Sequence, residues 1–178
     1  MLPWSGKNIY FIGFMASGKS RIGREFAGLL GWPFHDTDTL IEKRAGKEIS
    51  QIFKDDGEQH FRDLECAMIQ DISAKKNNII ALGGGAVLRD ENWQNISESG
   101  ITICLVAPVE ILSERIARNQ QRPLLANLTS DDRIAKISEM LSERQPLYDR
   151  SQFTFKSSND RPINEFVQHI FDTLLENL

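Results

Sequence analysis

Along the chain, short apolar runs alternate with longer stretches in which apolar residues recur every three or four positions. Ile9-Tyr10-Phe11-Ile12, Trp32 to His35, Asn78 to Leu82, Ile101 to Val106 and Phe153 to Phe155 are too brief for helices and rich in β-formers, so each predicts a strand. After the first of them, Ile22, Phe26, Leu29 and Leu30 keep helical spacing until Gly31, a stop signal just before Pro33. Helical spacing also marks 39–45, 48–54, 58–75, 89–98, 108–118, 130–145 and 162–177. In the last of these, Ile163, Phe166, Val167, Ile170, Phe171, Leu174 and Leu175 form a wide apolar stripe suited to packing on a sheet. Strands alternating with helices predict βαβ units, and hence an α/β fold around a parallel sheet.

Composition narrows the function classes. With 178 residues, 40% of them hydrophobic, the chain suits one compact domain over 1–178 with a proper core. A net charge of −4, without a Lys/Arg-rich block, argues against a nucleic-acid partner. No apolar stretch reaches the length of a membrane span, and the N-terminus lacks the order of a signal peptide. Cys66 and Cys104 stand apart with no C-x-x-C pattern, which fits two buried thiols in a reduced, cytoplasmic protein. His35, His60 and His169 are scattered, which argues against a metal cluster.

The candidate chemistry begins between the first strand and its helix. Gly13-Phe14-Met15-Ala16-Ser17-Gly18-Lys19-Ser20 matches the phosphate-loop pattern G-x-x-x-x-G-K-[ST] in the strand–loop–helix context that the motif needs. Glycines let backbone amides close around phosphate oxygens, and the helix N-terminus adds a partial positive charge. Lys19 is placed to reach the β- and γ-phosphates, and the Ser20 hydroxyl to ligate Mg²⁺.

Other residues bear on an acceptor. Asp36-Thr37-Asp38 follows the second strand at the end where open α/β sheets build their sites. If the chain stays extended there, both carboxylates share one face and could serve a metal's water shell and an attacking hydroxyl. The same residues also fit a helix start with a Thr39–Glu42 capping box, and the residues alone leave both readings open. Arg62 and Glu65 are helical neighbours, either a surface ion pair or a guanidinium held rigid to grip a carboxylate. Gly83-Gly84-Gly85 directly follows the third strand, where close approach of a ligand accounts for three costly glycines better than a routine turn does. Arg144, two residues before Pro146, is expected near a helix end or kink. The polar segment Asn119 to Leu128, with Arg122 inside it, reads as a plain loop or an active-site lid.

Taken together, the loop at 13–20, D-x-D at Asp36 and Asp38, F-R-x-x-E at 61–65, the glycine triplet, R-P-L-L at 122–125 and R-x-P-x-Y from Arg144 to Tyr148 resemble the shikimate kinase family. The order and spacing fit from about residue 8 to residue 170. The resemblance implies a nucleoside-monophosphate-kinase-like P-loop fold: a central parallel five-stranded sheet, a substrate-binding helical region at 36–65 and a lid at 117–128. It implies ATP-dependent phosphorylation of the 3-hydroxyl of shikimate, with ATP as co-substrate and Mg²⁺ as cofactor. Gly13, Ala16, Ser17, Gly18, Lys19, Ser20 and Arg21 would meet ATP, and Ser20 and Asp36 the metal and its water. Asp38 would orient or deprotonate the acceptor hydroxyl. Arg62 and Arg144 would clamp the shikimate carboxylate, with the Gly83–Gly85 backbone meeting the substrate from the sheet side. Arg122 would reach the transferring phosphoryl group, and Arg118 and Pro162 would enclose the adenine. The span between Arg118 and Arg122 is short for this family's lid. A monomer acting on small molecules is the simplest expectation. The nearest alternatives are a gluconate or nucleotide kinase of similar fold, which the two arginines and the D-x-D disfavour. An alternative of another class is a nucleotide-dependent switch, against which the complete acceptor set speaks.

Overall fold

Alternation along the first strand builds the centre of the molecule. In the computed structural model, which describes residues 2–118, 125 and 127–178, β1 (Asn8–Ile12) is buried at every position. Successive side chains point to opposite faces. Tyr10 and Ile12 therefore enter one apolar layer with Ile80 and Cys104, while Ile9 and Phe11 enter the other with Ile79 and Ile103. Around β1 the sheet is ordered β2 (Phe34–Asp36), β3 (Ile79–Ala81), β1, β4 (Gly100–Val106), β5 (Phe153–Lys156). Every pairing is parallel; Phe11 stands opposite Ala81 on one side and Ile103 on the other.

The helices are α1 (Lys19–Leu30), α2 (Thr37–Ala45), α3 (Ile49–Asp55), α4 (Gly57–Ser73), α5 (Asp90–Ser99), α6 (Val109–Ala117), α7 (Ser130–Tyr148) and α8 (Ile163–Asn177). On one face of the sheet α1 and α8 bury Ile22, Phe26, Phe166, Ile170 and Leu174. The opposite face takes Ile69 and Ile72 of α4, Trp93 and Ile96 of α5, Leu112 and Ile116 of α6, and Ile137 of α7. A separate cluster of Ile41, Ile52, Phe61 and Met68 fastens α2, α3 and α4 together.

The predicted strands and helices all form, with most ends within two residues of the expected ones. The largest extension is α7, expected to stop at residue 145 and found to reach Tyr148. Pro146 falls in its last turn, where the missing N–H removes one bond and the following turn still closes: Asp149 N donates to the Gln145 carbonyl at 2.9 Å. Among the described residues, no helix is long and apolar enough to cross a membrane. Cys66 and Cys104 are free and buried, as expected.

Because the sheet is parallel, the carboxyl ends of β1, β2 and β3 share one edge, and the segments that leave them meet there. The other end is locked by polar groups. Asn78 N donates to Asn8 Oδ1 at 3.0 Å, Asn8 Nδ2 donates to the Lys75 carbonyl at 2.8 Å, and the Tyr10 hydroxyl meets Ser99 Oγ at 2.6 Å. Buried groups paired in this way fix the register of β1 against its neighbours.

Candidate active site

The loop after β1 takes conformations that its glycines permit. Gly13 has φ +134°, and a Cβ there would lie 2.4 Å from the Leu105 carbonyl oxygen, so only glycine lets the loop turn this close to β4. Gly18 is the N-cap of α1 at φ 104°, and Ala16 also sits in the left-handed region at φ 61°. Lys19, in the first turn of α1, folds back over the loop and donates to the carbonyls of Gly13 at 3.0 Å and Phe14 at 2.8 Å.

Beyond Lys19, the Ser20 hydroxyl donates to Asp36 Oδ2. Asp36 ends β2, and its other oxygen caps α2 by accepting from Asp38 N at 3.1 Å and Thr39 N at 3.4 Å. This corrects two expectations. The chain is not extended through Asp38, so the two carboxylates do not share a strand face. Nor does a Thr39–Glu42 box start the helix, because Asp36 takes the cap and Glu42 accepts from Ile49 N at 3.0 Å, in the next helix. Asp38 lies in the first turn of α2, and both carboxylates still line one cleft with Lys19 and Ser20.

The glycine triplet is where the acceptor candidates converge. A Cβ on Gly83 would stand 2.6 Å from Asp38 Oδ1 and 2.9 Å from Glu65 Oε1. One on Gly85 would stand 2.6 Å from both terminal nitrogens of Arg62. The Gly84 carbonyl accepts from Arg144 Nη1 at 3.2 Å and from the Tyr148 hydroxyl at 2.9 Å. On its other side, Gly84 approaches the phosphate loop: a Cβ there would lie 3.2 Å from Met15 N. Thr37 fixes the start of the triplet by accepting from Gly83 N at 3.0 Å.

Charge within the site is deliberately paired. Arg62 donates to Glu65 at 2.8 Å and to Glu58 at 3.2 Å; Glu65 is 1% exposed, whereas Glu58 is open to water. Burial pushes the Glu65 carboxyl up to about 7, the Arg62 charge pulls it back, and the nearby Asp38 charge adds to the rise. The pair is thus no ordinary surface bridge. Burial likewise raises the Tyr148 hydroxyl to about 12, which keeps it a neutral donor to Gly84.

Two cavities adjoin the phosphate loop. One, of about 270 Å³, is bounded by Gly18, Lys19, Ser20, Asp36, Asp38 and Gly83. The second, of about 620 Å³, has Arg118 and Pro162 in its wall together with Ser157, Asn159 and Phe166. Ala16, Gly18, Arg21 and Arg115 border both. The structure therefore brings together Gly13 to Arg21, Asp36, Asp38, Arg62, the glycine triplet and Arg144, and sets Arg118 and Pro162 on the adjoining cavity. Arg122 and most of the 117–128 segment lie outside the described residues. Sequence reasoning did not find Arg115, whose partners are a main-chain carbonyl and residues after β5, or the part played by Thr37, which no spacing signals.

The sequence model described as shikimate kinase matches residues 15–175. A shikimate kinase of Thermodesulfovibrio yellowstonii is 43% identical over 156 residues, covering 88% of each chain. Among solved structures, a shikimate kinase of Acinetobacter baumannii in complex with shikimate superposes with a TM-score of 0.88 at 34% identity, over 96% of this chain and 94% of that one. The enzyme of Bacteroides thetaiotaomicron gives 0.89 at 32% identity, over 94% and 98%. A match over almost the whole sequence, joined to the same five-stranded parallel sheet, leaves one assignment: the chain belongs to the shikimate kinase family.

Proposed function

We propose that this chain transfers the γ-phosphoryl group of ATP to the 3-hydroxyl of shikimate, giving shikimate 3-phosphate and ADP on the way to the aromatic amino acids. The observation that carries the reading is the convergence on one glycine triplet of a carboxylate and two arginines, directly beside the phosphate loop. In this reading the molecule works as a monomer in the cytoplasm on small molecules, without nucleic acid or membrane. Residues 36–65 form the acceptor-binding region, and 117–128 the lid.

Phosphoryl transfer asks the protein for alignment and for positive charge around the moving group. The ATP phosphates lie along the amides of Gly13 to Ser20, with Lys19 at their β and γ ends and Arg21 beside them. Arg118 and Pro162 enclose the adenine, and Arg122 reaches the transferring group. Arg62 and Arg144 take the shikimate carboxylate. Their guanidiniums are held by Glu65 and by the Gly84 carbonyl, so little side-chain freedom is lost on binding. Asp38 faces the acceptor hydroxyl and accepts or orients its proton.

A hydroxyl touching a carboxylate is the oxygen donor set that a hard divalent cation takes. No cluster of three acidic, His or Cys side chains occurs among the described residues. This suits Mg²⁺, which keeps waters and substrate phosphates as ligands and needs few from the protein. Ser20 would hold it directly and Asp36 through water; once bound, it neutralises phosphate charge.

A coupled ADP-release assay with shikimate, quinate, gluconate and nucleoside monophosphates offered separately tests the reading. ADP release should be slow without acceptor and rise steeply with shikimate alone. Equal rates with and without shikimate would refute it, and a preference for gluconate would transfer the site to a different acid.

A further inference from the structure

Arg144 and Tyr148 stand one turn apart on the same face of α7, and both donate to the Gly84 carbonyl, at 3.2 and 2.9 Å. A carbonyl oxygen has two lone pairs and can accept both. Only because α7 continues past Pro146 does the tyrosine fall on the turn that follows Arg144. For holding the glycine triplet alone, one donor would serve. The second is redundant unless the first has to leave.

The two donors differ in how readily they can leave. Tyr148 is 2% exposed, and its ring is packed in the same apolar layer as Phe14 and Ile137. Burial keeps its hydroxyl protonated, so it stays a neutral donor with little attraction for an anion. Arg144 is half-buried and lies over the Phe14 ring, its guanidinium carbon 5.7 Å from the ring centroid. Contact through a face leaves the hydrogen-bonding edge of the guanidinium able to turn. An acid that binds Arg144 therefore competes with the Gly84 carbonyl for it. The charged partner is the stronger one, but a carbonyl stripped of its donor gives back part of the gain. Gly84 has a glycine on either side, so no side chain restrains its peptides. The peptide after it is trans, so holding the Gly84 carbonyl towards α7 also fixes the direction of the Gly85 N–H. Among the described residues, no protein acceptor takes that N–H.

We propose that Tyr148 is a positioning residue for the acceptor: it keeps the Gly84 carbonyl satisfied, so that Arg144 can turn to the acceptor's carboxylate without tilting the glycine triplet. The inference rests on the reading above, in which Arg144 takes that carboxylate. Tyr148 itself touches no substrate and acts through Gly84 and Arg144.

The test uses the full chain and Tyr148→Phe, which removes the hydroxyl and keeps the ring that fills the apolar layer. By titration calorimetry the variant should bind shikimate about tenfold more weakly, the cost of leaving the carbonyl without a donor when Arg144 turns. Mg²⁺ with ATP should bind within about twofold of the parent, and in steady state the loss should fall on the shikimate KM. Shikimate methyl ester lacks the charge that draws Arg144 away, so its loss should stay below about twofold. In an Arg144→Ala background there is no guanidinium to release, and adding Tyr148→Phe should cost shikimate little more. The acid-to-ester ratio of kcat/KM does not depend on the folded fraction, so it decides the matter even if the variant is partly unfolded. Equal losses for acid and ester, or additive losses in the Arg144→Ala background, would leave Tyr148 a packing residue and overturn the proposal. Unchanged shikimate affinity would overturn it too. A parent protein that fails to bind shikimate would bring down the active-site reading and this inference with it. A parent that binds shikimate beside an unaffected variant brings down this inference alone.

Discussion

Asp38 stands in the first turn of α2 with its carboxylate against Gly83, a position that would suit a helix-start residue as well as a proton acceptor. Asn at this position keeps the shape and removes the charge. If Asp38 takes the acceptor proton, Asp38→Asn lowers kcat about a hundredfold or more, with the thermal midpoint nearly unchanged. Near-normal turnover would leave Asp38 as a helix-start carboxylate only. Glu65 makes a prediction of a different kind. Its carboxyl rises from 4.5 to about 7 on folding, first through burial. A carboxyl raised in this way contributes stability below its ordinary value and loses that contribution as pH climbs through the folded value. Glu65→Gln, which cannot ionise, should therefore flatten the part of the Tm-against-pH curve that falls between pH 4.5 and about 7. An unaltered slope would mean that Arg62 keeps Glu65 ionised throughout. At this scale the site was legible wherever chemistry demands a residue type at a fixed spacing, as with Lys19, Ser20, Arg62 and the triplet. Arg115 was not legible, because a guanidinium donating to a main-chain carbonyl leaves no pattern in the chain.

Glycines separate two kinds of element within the same active site. The turn after β1 is pressed against backbone: a Cβ on Gly13 would meet the Leu105 carbonyl at 2.4 Å in a φ +134° conformation. Gly13→Ala should therefore lower stability, by about 1–3 kcal/mol from backbone strain alone, which urea unfolding would measure. The turn after β3 is pressed against side-chain ends. Gly83→Ala can be accommodated if Asp38 and Glu65 shift, so its stability should hold while kcat collapses. A Gly83 variant that unfolds, or one that stays active, would contradict this division. Element ends illustrate why local patterns mislead. Thr39 and Glu42 have the spacing of a capping box, yet Asp36 wins the cap because β2 delivers its carboxylate to the helix start, and Glu42 is drawn to the adjoining α3. Pro146 signals a helix end that comes two residues later, since a proline in the final turn removes little.

For the whole molecule, magnesium removal separates fold from function. A chelator should abolish phosphoryl transfer and leave the nucleotide-free unfolding midpoint in place, because the sheet is held by side chains packed in two largely aliphatic and aromatic layers and not by the Ser20–Asp36 pair at its edge. A falling midpoint would point to a structural ion instead. Hydrophobic alternation foretold five strands and their parallel sense, since each crossover carries a helix. It said nothing of their neighbours, because strand order is settled by how the helices share two faces of a sheet. That order has a consequence for how the protein is made. β1 leaves the ribosome before both of its neighbours: it lies between β3 and β4 and can pair with them only once Ile79 to Ala81 and Gly100 to Val106, respectively, have been synthesised. The nucleotide loop waits with it, since Gly13 turns against the Leu105 carbonyl. Both edges of a highly apolar strand therefore stay bare until β3 has been made, and one of them until β4 has, an interval in which non-local pairing is unavailable and misassociation is the hazard. Placing a synonymous pause before the codons for β4 should lengthen that exposure and lower the soluble yield, whereas the same pause after β5 should not.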